Sequence, residues 1–595
     1  MSRILGIAVF AVLSQVSHAF FSNPFTESAD APTTKSLMPV LILDGVMDER
    51  STPFTFLDQE VQSLHDVIEW VDLAAKDEEV KALAVQIRNP MLGLSQTTEL
   101  RNAFLRFRET EKPLLFFADS LTLKTYYLAS SGEQVILPPV GGLFTYGFSF
   151  RFYYFKDMLE KLGMQAQVVN TGDYKNALEP FTHQEMTEGT REQFTAIQSD
   201  LVEYIGTAIG ESRGMESDQL LETLFGGPHL SSKALELGLI DGVGYWESTL
   251  ETFSNEKGFE LDWEYDPLPK SQQAPPNLFA LFTTVPKALK QEDTEPRIAL
   301  VFAQGNIVDG AAAEDPFSQS QMIASDSFLE VLEDATGEGV KALVIRVDSG
   351  GGSAIASDRI WNKVQEIRTE KNIPVIVTMG NVAASGGYYM SMGADRIFVQ
   401  PTTITGSIGV IAGRMVLGGT YSKLGVNMMT LDYGKNSWLE NEKSLFTPEQ
   451  VAFVEGLIMD TYKTFTTKAS ESRGISLPEL EALAGGRVWT GVSAVKFGLV
   501  DELGGLNEAI EYARIKAQDG ASLPVVEYPK PKTLPEILAE IMSGEMQTTS
   551  SNPELLKSLQ SIPGFAPMKS FLGTLQVLDS EFQLLAVYSV YPEID

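Results

Sequence analysis

Short, continuous apolar runs alternate with longer stretches of mixed polarity along this chain. Val40-Leu41-Ile42-Leu43 is one such run, closed by Asp44-Gly45; Ile298-Ala299-Leu300-Val301-Phe302-Ala303 is another, closed by Gln304-Gly305. A run of this length bounded by turn residues reads as a strand buried on both faces. Each is followed by a helical stretch, then by a second apolar run (Leu83 to Ile87; Leu343 to Val347), then by a third that starts after Pro113 or Pro374. Strands alternating with helical segments predict βαβ units and a parallel sheet, an α/β fold. The pattern sets up one architecture twice.

The repetition extends to the residues themselves. Val80-Lys81-Ala82-Leu83 recurs as Val340-Lys341-Ala342-Leu343, Lys161-Leu162-Gly163 as Lys423-Leu424-Gly425, and Glu211-Ser212-Arg213-Gly214 as Glu471-Ser472-Arg473-Gly474. Gly238-Leu239-Ile240-Asp241 recurs as Gly498-Leu499-Val500-Asp501. The spacing is far longer than the 20–50 residues, roughly, of a solenoid unit, so the repeat is a whole domain in tandem. The copies part company at one place. The second carries Ala383-Ala384-Ser385-Gly386-Gly387-Tyr388-Tyr389, where the first reads Thr122-Leu123-Lys124-Thr125-Tyr126-Tyr127. The tyrosines persist, but the serine and the glycine pair do not. One copy looks catalytic and the other recruited to a different role.

The length of 595 residues allows about three to four domains, which a duplicated core with extensions fills. The repeats are assigned to 37–255 and 297–520. A linker at 256–296, with several prolines, joins them, and an extension at 521–595 carries amphipathic patches at 534–542 and 568–577. Arg3 precedes an apolar run from Ile4 to Leu13, and Ser17-His18-Ala19 supplies a small-x-small cleavage pattern. Residues 1–19 therefore read as a secretory signal peptide, with an uncleaved signal anchor reaching Phe21 as the alternative. The net charge of −34 argues against a nucleic-acid partner, which requires clustered Lys and Arg. The absence of cysteine excludes disulfides, thiolate metal sites and a cysteine nucleophile.

The chemistry concentrates in the second copy. Val375-Ile376-Val377-Thr378-Met379-Gly380 is a strand running towards a turn, and Ser385 follows at the start of a helix. Gly386 and Gly387 permit close backbone approach, and a helix N-terminus offers free N–H groups to an oxyanion. A lone serine before a helix is more often an N-cap. Here a second glycine turn, Asp348-Ser349-Gly350-Gly351-Gly352-Ser353, ends the preceding strand at the same edge of the sheet, where open α/β sheets bind their ligands. A serine nucleophile needs a base. His18 lies in the signal, and His65, His183 and His229 fall in the first copy, none in a segment duplicated opposite Ser385. The G-x-S-x-G elbow of α/β-hydrolases is absent at Ser385. A lysine serves instead where burial keeps it neutral.

The strings Gly172-Asp173-Tyr174-Lys175-Asn176-Ala177-Leu178-Glu179-Pro180-Phe181, Ala383 to Tyr389 and Thr405-Gly406-Ser407-Ile408-Gly409 resemble the long form of the signal peptide peptidase A (protease IV) family. The resemblance covers roughly residues 40 to 515 in the family's order and spacing. It implies a Clp-protease/crotonase-like fold duplicated in tandem, and a serine–lysine dyad whose lysine comes from the first copy. By that carry-over Ser385 is the nucleophile, Lys175 the general base, and Ser407 a hydroxyl orienting the lysine. The N–H groups of Gly352 and Gly386 form the oxyanion hole. The family has proline after the serine of the glycine turn, whereas this chain has Gly350, which predicts a looser loop. Lys435, in Asp432-Tyr433-Gly434-Lys435-Asn436, parallels Lys175 in the duplicated frame and is the alternative base.

These expectations describe a serine endopeptidase that degrades cleaved signal peptides and other apolar, unfolded peptides, without metal or organic cofactor. The resemblance implies a periplasmic or inner-membrane-associated enzyme in contact with the membrane surface, assembled as a homotetramer. Two alternatives stand beside it. One is a crotonase-like acyl-CoA enzyme, which has no use for Ser385 with Lys175; the other is a non-catalytic peptide-binding scaffold on the same fold.

Overall fold

A computed structural model describes residues 36–50, 63–268, 294–311, 322–517, 523–529 and 585–587. The predicted signal (1–19) and the patches at 534–542 and 568–577 lie outside these residues, as does most of the predicted linker.

The apolar runs become the centres of two sheets. In the first copy, Leu37–Val46, Leu83–Met91, Leu114–Ala118 and Gln134–Leu137 lie side by side and parallel. In the second, Arg297–Gln304, Val340–Ser349, Val375–Ala384 and Arg396–Val399 repeat that order, again in parallel. Helices Leu64–Lys76 and Leu94–Glu109, and their counterparts Ser325–Asp334 and Ala354–Thr369, cover these strands; their apolar faces supply Trp70, Val71, Phe104 and Phe107, or Phe328, Ile360 and Val364, to the cores. Burial on both sides of the sheet explains why the strands read as unbroken apolar runs rather than alternating ones.

The copies extend further than sequence periodicity indicates. Helix Trp246–Lys257 and strand Glu260–Asp262 belong to the first copy, because that strand pairs with Leu37–Val46. The boundary at 255 is therefore short: the chain stays with the first copy through Tyr265 and Leu268, which pack against its core. Val525–Tyr528 likewise pairs with Arg297–Gln304, so the second copy passes residue 520. Both are edge strands of three or four residues, too short to display a period, and each is recruited by the exposed edge of its copy's first strand.

Three features fuse the copies. Val382, Ala384 and Val488 of the second copy pack into the core of the first. Strand Gln165–Asn170 of the first copy pairs antiparallel with Ile411–Val416 of the second, in register from Asn170 opposite Ile411 to Gln165 opposite Val416. Buried Arg346 of the second copy grips Glu49 through Nε and Nη2 at 3.0 and 3.1 Å and Glu99 through Nη1 at 2.6 Å, both carboxylates belonging to the first copy. A fully buried guanidinium needs this complete pairing, because an unmatched charge there would be strongly destabilising.

Candidate active site

Strand Val375–Ala384 ends where helix Gly386–Ser391 begins, and Ser385 sits at the junction with φ 54° and ψ −114°. Residues with a Cβ rarely adopt positive φ, and holding one there costs about 1–3 kcal/mol, which the surroundings must enforce. Here the Ser385 N–H donates to the Gly406 carbonyl at 2.8 Å. Ser407, φ 52°, is held in the same way by its N–H to the Arg487 carbonyl at 2.7 Å. The Ser385 side chain caps no amide of its helix. The N-cap role that a lone serine suggests is not the one it plays.

Ser385 Oγ instead meets Lys175 Nζ at 2.6 Å. The shared strand Gln165–Asn170 delivers that lysine across the boundary between copies. Just beyond it, the Thr171 N–H donates to the Val410 carbonyl and the Tyr174 N–H to the Gly485 carbonyl, at 2.9 and 3.2 Å. Asn170 Nδ2 holds the Lys175 carbonyl at 2.9 Å. Nζ also donates to Ser407 Oγ and the Ser407 carbonyl, both at 3.0 Å. Every one of these acceptors is neutral. Ser385 and Lys175 are 0% and 1% exposed, and burial without a countercharge lowers the Lys175 pKa from 10.5 to about 7. An amine so placed is substantially unprotonated near neutrality.

The second glycine turn arrives beside them. Strand Gly351–Ser353 follows strand Val340–Ser349, and Gly352, φ 155°, bridges Ile307. A Cβ on Gly352 would lie 1.9 Å from the Ile307 carbonyl oxygen, so the position demands glycine. A Cβ on Gly386 would lie 3.1 Å from the Gly352 nitrogen and 2.5 Å from Ser357 Oγ. The two glycines are therefore neighbours next to Ser385. The turn around Gly350 carries anchors of its own. Ser349 Oγ donates to the Gly305 carbonyl at 2.6 Å and accepts from the Gly351 N–H at 3.2 Å, so a buried hydroxyl fixes the turn where proline would have stiffened it.

This crowding yields a prediction. Gly386→Ala should lower kcat by about 10²–10³, the effect of losing one oxyanion donor, with KM close to that of the unaltered protein. Steady-state kinetics on a short peptide would check it. Unchanged kcat with a raised KM would reassign Gly386 to substrate positioning.

The remaining candidates fall away from the site. Lys435 is exposed, whereas Lys175, its parallel in the first copy, is buried against Ser385. His183 contacts Thr182 Oγ1, His229 contacts the Thr223 carbonyl, and His65 lines a recess with Glu49 and Glu99; His18 lies outside the described residues. The duplicated tyrosines occupy one role in both copies: Tyr126 Oη donates to the Leu239 carbonyl and Tyr388 Oη to the Leu499 carbonyl. That frame puts Leu123 where the second copy has Ser385. Sequence reasoning missed Asn170 and Gly406, whose roles depend on contacts that no local pattern signals. It also missed strand Leu585–Val587. That strand runs antiparallel between Gly351–Ser353 and Ile411, with Ala586 opposite Gly352.

The profile of peptidase family S49 matches this chain twice, over residues 106–260 and 367–519, once in each copy. The chain is 30% identical over 498 residues to the chloroplastic serine protease SPPA of Arabidopsis thaliana, covering 82% of this chain and 72% of that protein. It is 29% identical over 466 residues to protease 4 of Haemophilus influenzae, covering 76% of this chain and 72% of that one. Among solved structures, a ClpP1 mutant from Listeria monocytogenes matches 36% of this chain and 94% of its own length, at 14% identity and a TM-score of 0.23.

Proposed function

The chain belongs to peptidase family S49 and is a serine peptidase; from that premise we propose that it cuts extended apolar peptides, signal peptides released from secreted proteins among them, with a Ser385–Lys175 dyad. One observation carries the reading: a buried lysine of lowered pKa lies 2.6 Å from a buried serine. Neutral Lys175 takes the proton from Ser385 Oγ as the oxygen attacks the peptide carbonyl. The N–H groups of Gly352 and Gly386 receive the developing oxyanion. The lysine ammonium then returns the proton to the leaving amine, and water, activated by the same amine, releases the acyl group from the serine. Ser407 keeps Nζ aimed at Ser385 throughout.

The peptide class is supported by strand Leu585–Val587. A gap that accepts a segment of main chain between two strands, beside Ser385, is built for recognition by strand addition, which needs an unfolded substrate. The acyl-CoA alternative finds no support in a peptidase family. The proposal extends to an enzyme carried across a membrane by residues 1–19, working at the membrane surface of a periplasm-like compartment as a homotetramer.

The pH dependence tests the dyad. Lysine acts here as a base, so turnover of a fluorogenic apolar peptide should rise with pH, half-maximal near the Lys175 pKa of about 7, and level off above it. Two pH units below the midpoint, about 1% of the plateau should remain. A flat profile, or a midpoint near that of a solvated lysine, would remove Lys175 from the mechanism.

A further inference from the structure

The two turns that make the site, Asp348 to Ser353 and Asn381 to Gly386, are tied to each other by the side chains of Asp348 and Asn381, and Asn381 also ties them to the first copy. Asn381, four positions before Ser385, donates from Nδ2 to Asp348 Oδ2 at 3.4 Å. Asp348, four positions before Gly352, accepts from the Val382 N–H through Oδ1 at 2.9 Å. Asn381 Oδ1 faces the opposite way and accepts from the N–H groups of Ser95 and Gln96 at 3.1 and 3.4 Å. Those amides open helix Leu94–Glu109 of the first copy, whose N-cap is Gly93 and lacks a capping side chain.

The duplication supplies an internal control. The counterpart helix, Ala354–Thr369, is capped by its own Ser353, whose Oγ accepts from the Ala356 N–H at 3.2 Å. In the first copy glycine replaces that cap, and a Cβ on Gly93 would lie 2.1 Å from Asn381 Oδ1. The helix has given up its own cap and takes one from the other copy, as helix N-termini require some acceptor. Two residues before Asp348, Arg346 bolts the same strand to Glu49 and Glu99. The first copy thus reaches the base of the oxyanion turn from two directions.

We propose that Asn381 is a positioning residue for the peptidase reaction: it bonds the oxyanion turn, through Asp348, to the nucleophile turn and anchors both on the N-terminus of helix Leu94–Glu109. The proposal rests on the reading of Ser385 as nucleophile and of Gly352 and Gly386 as oxyanion donors. It gives the first copy a second task beside donating Lys175, that of setting the distance between those donors and the serine. Small displacements of such groups are costly in rate, because reacting atoms must meet within a few tenths of an ångström.

The test exchanges the partners. Asn381→Asp keeps an acceptor for the helix amides and sets two carboxylates against each other at the turn; Asp348→Asn sets two amides against each other. Each should lower kcat between about 10- and 100-fold on a short fluorogenic peptide, with KM within about twofold of the unaltered protein. The double exchange, Asn381→Asp with Asp348→Asn, restores the bond with donor and acceptor reversed and should recover most of the lost kcat. Gly93→Ala reaches the same pair from the first copy, and should reproduce the kcat loss should either single exchange fail to fold. Unaltered kcat in the single variants, a loss confined to KM, or a double exchange no better than the worse single would overturn the proposal. An unaltered protein that cuts no peptide, by contrast, sinks the underlying peptidase mechanism.

Discussion

Replacing Ser385 by alanine should lower peptidase turnover by about 10³-fold or more while leaving a folded protein, since removing a nucleophile disables the whole unit that acts with it. The fold tolerates the change because Oγ caps no helix amide and the backbone bond to Gly406 is untouched. Lys175 Nζ keeps Ser407 Oγ and the Ser407 carbonyl as partners, so the buried amine is not orphaned. Alanine is still held at positive φ, and here a second variant sharpens the test. Ser385→Gly deletes the hydroxyl and also relieves a conformation that costs about 1–3 kcal/mol with a Cβ present. It should be equally inactive and should melt at a higher temperature than Ser385→Ala. An alanine variant keeping a tenth of the activity would show that Ser385 is not the nucleophile. Equal melting temperatures for the two variants would limit the relieved strain to the extra unfolded-state entropy of glycine, about 0.5–1 kcal/mol.

The parallel sheets were legible because burial on both faces writes a strand as an apolar run, and the duplication wrote it twice. Ser385 was legible as a serine between a strand and a glycine pair. The absence of that serine from the first copy was legible in the survival of Tyr126 and Tyr127 without it. Lys175, Ser407 and Gly352 were reached through resemblance; nothing in the local pattern marks a lysine in Asp173-Tyr174-Lys175-Asn176 as buried. What joins the copies was not legible. The antiparallel pairing of Gln165–Asn170 with Ile411–Val416, and the bonds from the Ser95 and Gln96 N–H groups to Asn381, link positions hundreds of residues apart, and sequence periodicity reports only on a segment's own face. The edge strands Glu260–Asp262, Val525–Tyr528 and Leu585–Val587 are short, and their pairing is decided by the edge that recruits them. The anchoring of the turn at Gly350 by the Ser349 hydroxyl was not legible either, because its bonds are invisible in a list of glycines.

The choice of lysine decides why the first copy exists, and Lys175→Met separates catalysis from stability. Methionine fills much of the lysine's volume without an amine, so turnover should fall as far as in Ser385→Ala. Combining the two changes should add little, as for residues acting as one unit. Lys435→Ala should be mild, because Lys435 is exposed. Lys175→Arg should not rescue, since a guanidinium stays protonated. Stability should move the other way. Burial holds the folded-state pKa near 7 against 10.5 in the unfolded chain, so the unfolded state binds more protons between those values. The lysine therefore destabilises the fold by an amount that grows as pH falls through that window and approaches about 5 kcal/mol below pH 7. Lys175→Met should remove this cost: the variant melts at a higher temperature at neutral pH, and the stability difference from the unaltered protein shrinks as pH rises from 7 towards 10.5. Activity purchased with stability is the usual trade at such sites. A dead Lys435→Ala beside an active Lys175→Met would move the base into the second copy. An inactive Lys175→Met whose stability difference from the unaltered protein stays constant between pH 7 and 10.5 would show that burial does not lower the amine's pKa, and the base mechanism would fail with it.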